Sequence, residues 1–255
     1  DLPLVTSIGT RCFSDCTNLT SIELPLVTSL GDYSFVRCTK LASIDLPLVT
    51  TIPTNCFEDC YKLTEVNMPN VTSLNGYCFY NSGLVSADFP LVTTVNYNCF
   101  EDCRYLTSVN LPLATTLGTE CFCYCDSLTS ISLPSATSLD DYCFDHCTNL
   151  TEINIPNVTT ISQYCFNNCT ALTTLQLPKI TSIEAYIFYN CKYKTVTLTL
   201  GGVDNPITDT SNFSSVFGSS VISNLIIYVL DASNPPTLVG SPWGCAEATI
   251  TYEQA

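Results

Sequence analysis

The sequence is poor in the groups that catalytic centres use most. Among 255 residues there is one histidine, one methionine and one tryptophan. A Cys–His nucleophile built on His146 can be drawn on paper. However, His146 fills a variable position that Asp15, Asp59 and Asp102 hold in sister segments, where a solvent-facing side chain is the simpler expectation. The carboxylates recur in rows and not as one singular pair. No glycine-rich phosphate loop or nucleophile elbow appears. The chain reads as a non-enzyme, with no cofactor and no metal ligand set expected.

Positive charge is equally scarce, at 8 Lys and Arg against 23 Asp and Glu, a formal net charge of −15. Phosphate backbones are bound by clustered basic side chains that release counterions, so nucleic acid is excluded as a partner. Anionic membrane surfaces are disfavoured for the same reason. No apolar run reaches the ~18 residues of a membrane-spanning helix, and no membrane insertion is expected. A charged segment followed by an apolar one, as in a signal peptide, is missing. Asp1-Leu2-Pro3 starts inside a repeat unit, so the chain reads as a fragment of something longer.

What is present is hydrophobic and periodic. Hydrophobic residues make up 46% of the chain, which also carries seventeen cysteines. Prolines preceded by an apolar residue fall at Pro3, Pro25, Pro47, Pro69, Pro90, Pro112, Pro134, Pro156 and Pro178, 22 residues apart except for one step of 21. Phe13, Phe35, Phe57, Phe79, Phe100, Phe122, Phe144, Phe166 and Phe188 run in step. A period written nine times marks a solenoid, whose units cannot fold singly and seal one another's faces when stacked.

Each unit has one strand-like piece. In Leu19–Leu24, alternation sends Ile22 and Leu24 to one face and Ser21 and Glu23 to the other. The following proline cannot donate to a ladder and ends it. Val27 and Leu30 follow, and Phe35 anchors a turn too brief for a helix. About six apolar side chains per unit are expected to point inward. The 21-residue step comes from Tyr80-Asn81-Ser82-Gly83, predicting a tightened outer turn with strand register kept by Leu84, Ala87 and Phe89. After Cys191 the register slips by one residue, and from Gly201 the period is lost. Two β-rich runs, 224–230 and 248–252, lie in that last part. Residues 1–200 are assigned to the repeat array and 201–255 to a C-terminal β cap.

The units resemble the BspA-like, or Treponema pallidum-type, leucine-rich repeats. The resemblance rests on Ile22-Glu23-Leu24-Pro25, on Val5-Thr6-Ser7-Ile8-Gly9 and on Cys12-Phe13-Ser14-Asp15-Cys16-Thr17-Asn18-Leu19, and covers residues 1 to about 192. Two departures are a unit one residue shorter than usual and Cys where Ala usually precedes Phe. The resemblance implies a curved, right-handed leucine-rich-repeat array, here of about nine rungs. It also implies a secreted or cell-surface protein of a host-associated bacterium or a protist, concerned with adhesion. No binding residue carries over from it.

The cysteines leave three readings open. Complete C-x-x-x-C pairs stand at 12/16, 56/60, 99/103, 121/125, 143/147 and 165/169. Their spacing excludes neither metal nor disulfide. Ser34 and Ile187 replace the first cysteine of their units, and Cys78 has lost its partner. Such exceptions favour a packed ladder of free thiols, since a buried Cys behaves as a small hydrophobe. Cys123 and Cys245 lie off the ladder, with Cys123 expected to be the more exposed.

Two surface rows are candidate ligand sites. The first is polar and lies on the strand face opposite the core: Glu23, Asp45, Asn67, Asp88, Asn110 and Asn154, with serines and further carboxylates beside them. This is the concave side if the array curves as leucine-rich repeats do, although some polar row must face solvent in any case. The second is aromatic: Tyr33, Tyr77, Tyr142, Tyr164 and Tyr186, each two residues before a Phe. Tyrosine suits recognition surfaces, and equally it can cover the flank of the array. The expected function is a non-catalytic surface or secreted module that binds a host matrix protein, a cell-surface protein or a glycan. The alternative is a structural stalk without a ligand of its own.

Overall fold

Two strand segments emerge from most of the repeat units, where one was expected. In a computed structural model the described residues are 2–172, 174–180, 184–191, 197–200, 224–229 and 249–254. The first ladder is built from Ser43–Asp45, Glu65–Asn67, Ser86–Asp88, Ser108–Asn110, Ser130–Ser132, Glu152–Asn154 and Thr174–Leu177. The second ladder is shorter-stranded: Ser7–Ile8, Ser29–Leu30, Thr51–Ile52, Ser73–Leu74, Thr94–Val95, Thr116–Leu117, Ser138–Leu139 and Thr160–Ile161. Every pairing is parallel and joins equivalent positions of successive units, as Ser130↔Glu152 and Leu117↔Leu139 do. Two-residue strands carry no readable alternation, which is why the second ladder is invisible to pattern reading. No helix occurs among the described residues.

Seven units carry the first strand between Ser43 and Leu177, fewer than the nine expected. Residues 19–24 form no strand. On its earlier edge Leu2 N–H donates to Glu23 O at 3.4 Å, and on its later edge Ala42 N–H donates to Thr20 O at 3.2 Å.

The core of a rung is richer than six side chains. In one unit Leu41, Ile44, Leu46, Val49, Ile52, Cys56, Phe57 and Cys60 are all buried to 3% exposure or less, eight groups of which two are thiols. The phenylalanines stack along the axis. Successive rings from Phe13 to Phe188 lie 5.1–5.6 Å apart with planes within 10° of parallel. Threonines add a second line, in which several hydroxyls donate to the carbonyl one rung below, as Thr115 does to Thr93 and Thr137 to Thr115 at 3.2 Å.

The short unit behaves in two ways. Leu84, Ala87 and Phe89 keep their inward places at 2% exposure or less, and the second ladder passes through with Ser73↔Thr94. The first ladder breaks, however: Ser43–Asp45 pairs with Glu65–Asn67, and a separate sheet begins at Ser86. Losing a residue from the turn draws Gly83 inward, where its N–H donates to Cys60 O at 3.1 Å. A Cβ on Gly83 would lie 2.3 Å from the Tyr61 carbonyl oxygen, so only glycine fits the tightened turn.

Beyond Leu177 the parallel sheet continues. Thr174 pairs with Thr197, Thr197 with Asn224, and Asn224 with Thr249. The first of these steps carries the one-residue slip, and Asn224–Val229 and Thr249–Gln254 are the two β-rich runs. Most of the expected cap, 201–223 and 230–248, lies outside the described residues, as does Cys245.

Candidate functional site

The polar row stands on the outward positions of the first ladder. Asp45, Asn67, Asp88, Asn110 and Asn154 are exposed strand residues, and Glu23 is exposed in the strandless segment before them. The structure brings them together in pairs. Asn67 donates to Asp45 Oδ1 at 2.9 Å, Asn110 to Asp88 Oδ1 at 2.7 Å, and Asn154 to Ser132 Oγ at 2.9 Å. Part of the row's hydrogen-bonding capacity is thus spent inside it, while each Asp keeps a second oxygen for solvent or a ligand. Over the later rungs the same face forms a groove of about 960 Å³, lined by Ser108, Ser130, Ser132, Glu152, Asn154 and Gln176 among others.

The tyrosine row sits elsewhere on the rung, and no described contact joins the two rows. Its backbone has an unexpected feature. The residue two before each Phe and the residue two after it are left-handed: Tyr33, Tyr77, Tyr142, Tyr164 and Tyr186 have φ of 56–61°, as do Asp59, Asp102 and His146 in the later turn at 57–58°. Asn and Asp tolerate this conformation several-fold better than most residues. Their recurrence at Asn55, Asn98, Asn81 and Asn168 is the sequence signal that marks both turns. Tyr33, Tyr77, Tyr142 and Tyr164 are only half exposed. Tyr142, Tyr164 and Tyr186 stack on one another at 5.0 and 5.2 Å, and Arg11 lies over Tyr33 at 4.7 Å. These rings cover the flank of the array; Tyr142, Tyr164 and Tyr186 pack on each other, whereas Tyr77 packs edge-on against Tyr80 and Tyr97.

The described cysteines from Cys12 to Cys169 are free thiols, and no cluster of metal-ligating side chains occurs among the described residues. The second cysteine of each unit has a repeated task. Its thiol donates to the carbonyl of the Phe in the preceding rung, as in Cys60 to Phe35, Cys125 to Phe100 and Cys147 to Phe122 at 3.1–3.2 Å. The first cysteines stack on their own kind, with Cys78 Sγ 2.9 Å from Cys99 Sγ, and Ser34 fills the same slot against Cys56. Burial pushes the thiols of Cys38 and Cys103 up to about 12. Thiols held protonated in this way are poor nucleophiles.

Cys123 is not exposed as expected: it is 3% accessible, and its thiol lies 3.9 Å from Asp145 Oδ2. Burial, followed by the nearby Asp145 charge, raises its pKa. His146 takes the outer position, stacked on Tyr124 at 4.4 Å with Nε2 3.1 Å from the Asn168 amide. Its Nδ1 is 2.8 Å from Asp145 Oδ1, without hydrogen-bond alignment. Asp145 separates the thiol from the imidazole, so the geometry assembles no activated Cys–His pair.

Comparison with known proteins agrees with this architecture. A crystal structure of a leucine-rich repeat protein from Bacteroides ovatus is similar with a TM-score of 0.75 and 23% identity, over 98% of this chain and 67% of that one. A leucine rich cell surface protein from Faecalibacterium prausnitzii matches with a TM-score of 0.51 and 20% identity, over 98% and 70% of the two chains. At these identities the likeness concerns the fold. No curated protein matches the chain significantly. The profile of the BspA type leucine rich repeat region matches residues 2–107 and 93–205 in six copies. With most of its length so matched, the chain belongs to the BspA-type leucine-rich repeat family.

Proposed function

We propose that the chain is a non-catalytic binding module of a secreted or cell-surface protein, and that it adheres through the polar face of the first ladder. The observation that carries this reading is the groove of about 960 Å³ on that face, whose lining changes from rung to rung among Ser, Glu, Asn and Gln. Such a surface presents short hydrogen-bonding groups every ~4.8 Å, a spacing suited to an extended peptide or a glycan chain. The ligand class is a host matrix protein, a cell-surface protein or a glycan of neighbouring cells.

The test compares the chain with a variant in which Glu23, Asp45, Asp88 and Glu152 are changed together to Ala. Binding to a panel of matrix proteins and glycans is measured by surface plasmon resonance. Saturable binding that weakens roughly tenfold or more in the variant, about 1.4 kcal/mol, supports the reading. Unchanged binding removes the polar face from it. The stalk reading draws on a specific observation, the internally satisfied pairs Asp45–Asn67 and Asp88–Asn110; absence of binding across the panel favours it.

A further inference from the structure

The shortened rung leaves a vacancy that regular rungs do not have. In the outer turn, the two positions after the second cysteine are Thr39-Lys40, Tyr61-Lys62, Arg104-Tyr105 and Asp126-Ser127 in the complete units. In the unit between them Gly83 fills the first and the second is missing. Two side chains are therefore absent from the row just where Gly83 is pinned against the Tyr61 carbonyl. The result is a pocket of about 610 Å³ lined by Tyr61, Lys62, Val85, Asp102, Arg104 and Tyr105, with Gly83 among its lining residues.

The walls are unusual for this protein. Tyr61 is 49% and Tyr105 66% exposed, unlike the half-buried stacked tyrosines of the flank. They stand one rung to either side of the gap, so two strand spacings, roughly 10 Å, separate their rungs. Val85, 44% exposed, puts an apolar patch where most sister rungs carry threonine. The rim charges balance locally: Arg104 holds Asp102 at 2.6 Å and Asp126 at 3.0 Å, leaving Lys62 as a donor at the edge. An apolar, tyrosine-walled slot with a balanced polar rim fits a ligand that is uncharged, flat-faced and rich in hydroxyls. Aromatic faces stack on the C–H face of a sugar ring, and rim groups satisfy its hydroxyls.

We propose that this slot is a glycan subsite that takes one neutral sugar ring between Tyr61 and Tyr105. It lies at the turn leading into the first ladder and uses none of Glu23, Asp45, Asp88 or Glu152, so it stands or falls separately from the polar face.

The test is saturation-transfer NMR of the whole chain with maltotriose, chitotriose, cellotriose and mannotriose, with a proline-rich peptide as a competing ligand class. Three variants accompany it: Tyr105→Ala, Tyr61→Ala, and insertion of Asn between Gly83 and Leu84, which restores the 22-residue unit. Expected are saturable transfer from at least one trisaccharide, a loss of roughly tenfold or more in affinity for each tyrosine variant, and loss in the insertion variant. The Glu23/Asp45/Asp88/Glu152 variant should bind the sugar unchanged. Circular dichroism identifies any variant that has merely unfolded. Transfer that survives both tyrosine substitutions in folded protein, transfer from the peptide alone, or none from any of the sugars overturns the proposal.

Discussion

Cys147 and its equivalents show what one residue type contributes when it recurs. Each thiol fills a small apolar slot and donates to a buried Phe carbonyl, as a second bond beside the backbone N–H that the same carbonyl accepts within its own rung. The ladder has a consequence at high pH. Burial raises Cys38 and Cys103 from 9.0 to about 12, so the folded chain keeps protons that the unfolded chain loses. Stability from these thiols is complete below pH 9 and is lost as pH rises towards 12, by about 1.4 kcal/mol per pH unit for each thiol titrating in the unfolded state. Urea midpoints under reducing conditions should therefore fall steeply between pH 9 and pH 11; a flat profile would show the thiols to be hydrated. Asp15 illustrates the opposite sign. Its hydrogen bonds from Arg37 and Ser14 hold it down at about 2, but the pair is fully exposed and its effect on stability is small.

At the scale of the element, the rung is organised by the phenylalanine stack and its two left-handed turns. Phe122 is fully buried between Phe100 and Phe144, with ring centroids 5.2 and 5.3 Å away. Phe122→Ala should cost about 3–5 kcal/mol, measurable by urea denaturation, and cost more than the same change at the half-buried Phe13. The stack was legible in the sequence, because a bulky residue repeated in strict register has to lie above itself. The second ladder was not, since Thr51–Ile52 and its equivalents are too short to alternate. The exposure expected of Cys123 was also wrong. It rested on the thiol lying off the main cysteine series, whereas the turn buries it with its sulfur towards Asp145.

Across the whole molecule, the protein is quasi-one-dimensional: each rung touches only its neighbours, so stability is a sum over rungs and interfaces. The first rung is the least buried, with Phe13, Cys16, Leu19 and Ile22 only partly covered. Deleting residues 1–22 should leave the remaining array folded, with circular-dichroism amplitude reduced about in proportion to the residues removed and a thermal midpoint lowered by only a few degrees. Global unfolding of the truncated chain would contradict this picture. The net charge of −15 bears on partners and solubility and not on the fold.

The sequence by itself determined the solenoid, its period, its phenylalanine core and its outward polar row, because each is a property of one unit repeated and stacking follows from repetition. The tertiary structure decided what depends on contact between units. It paired Asn67 with Asp45 and Asn110 with Asp88, turned the tyrosine row onto itself, and broke the first ladder at the short unit. It also opened the pocket between Tyr61 and Tyr105. A missing residue is visible in a sequence as a gap, but whether the neighbours close over it or leave space depends on how three successive rungs pack.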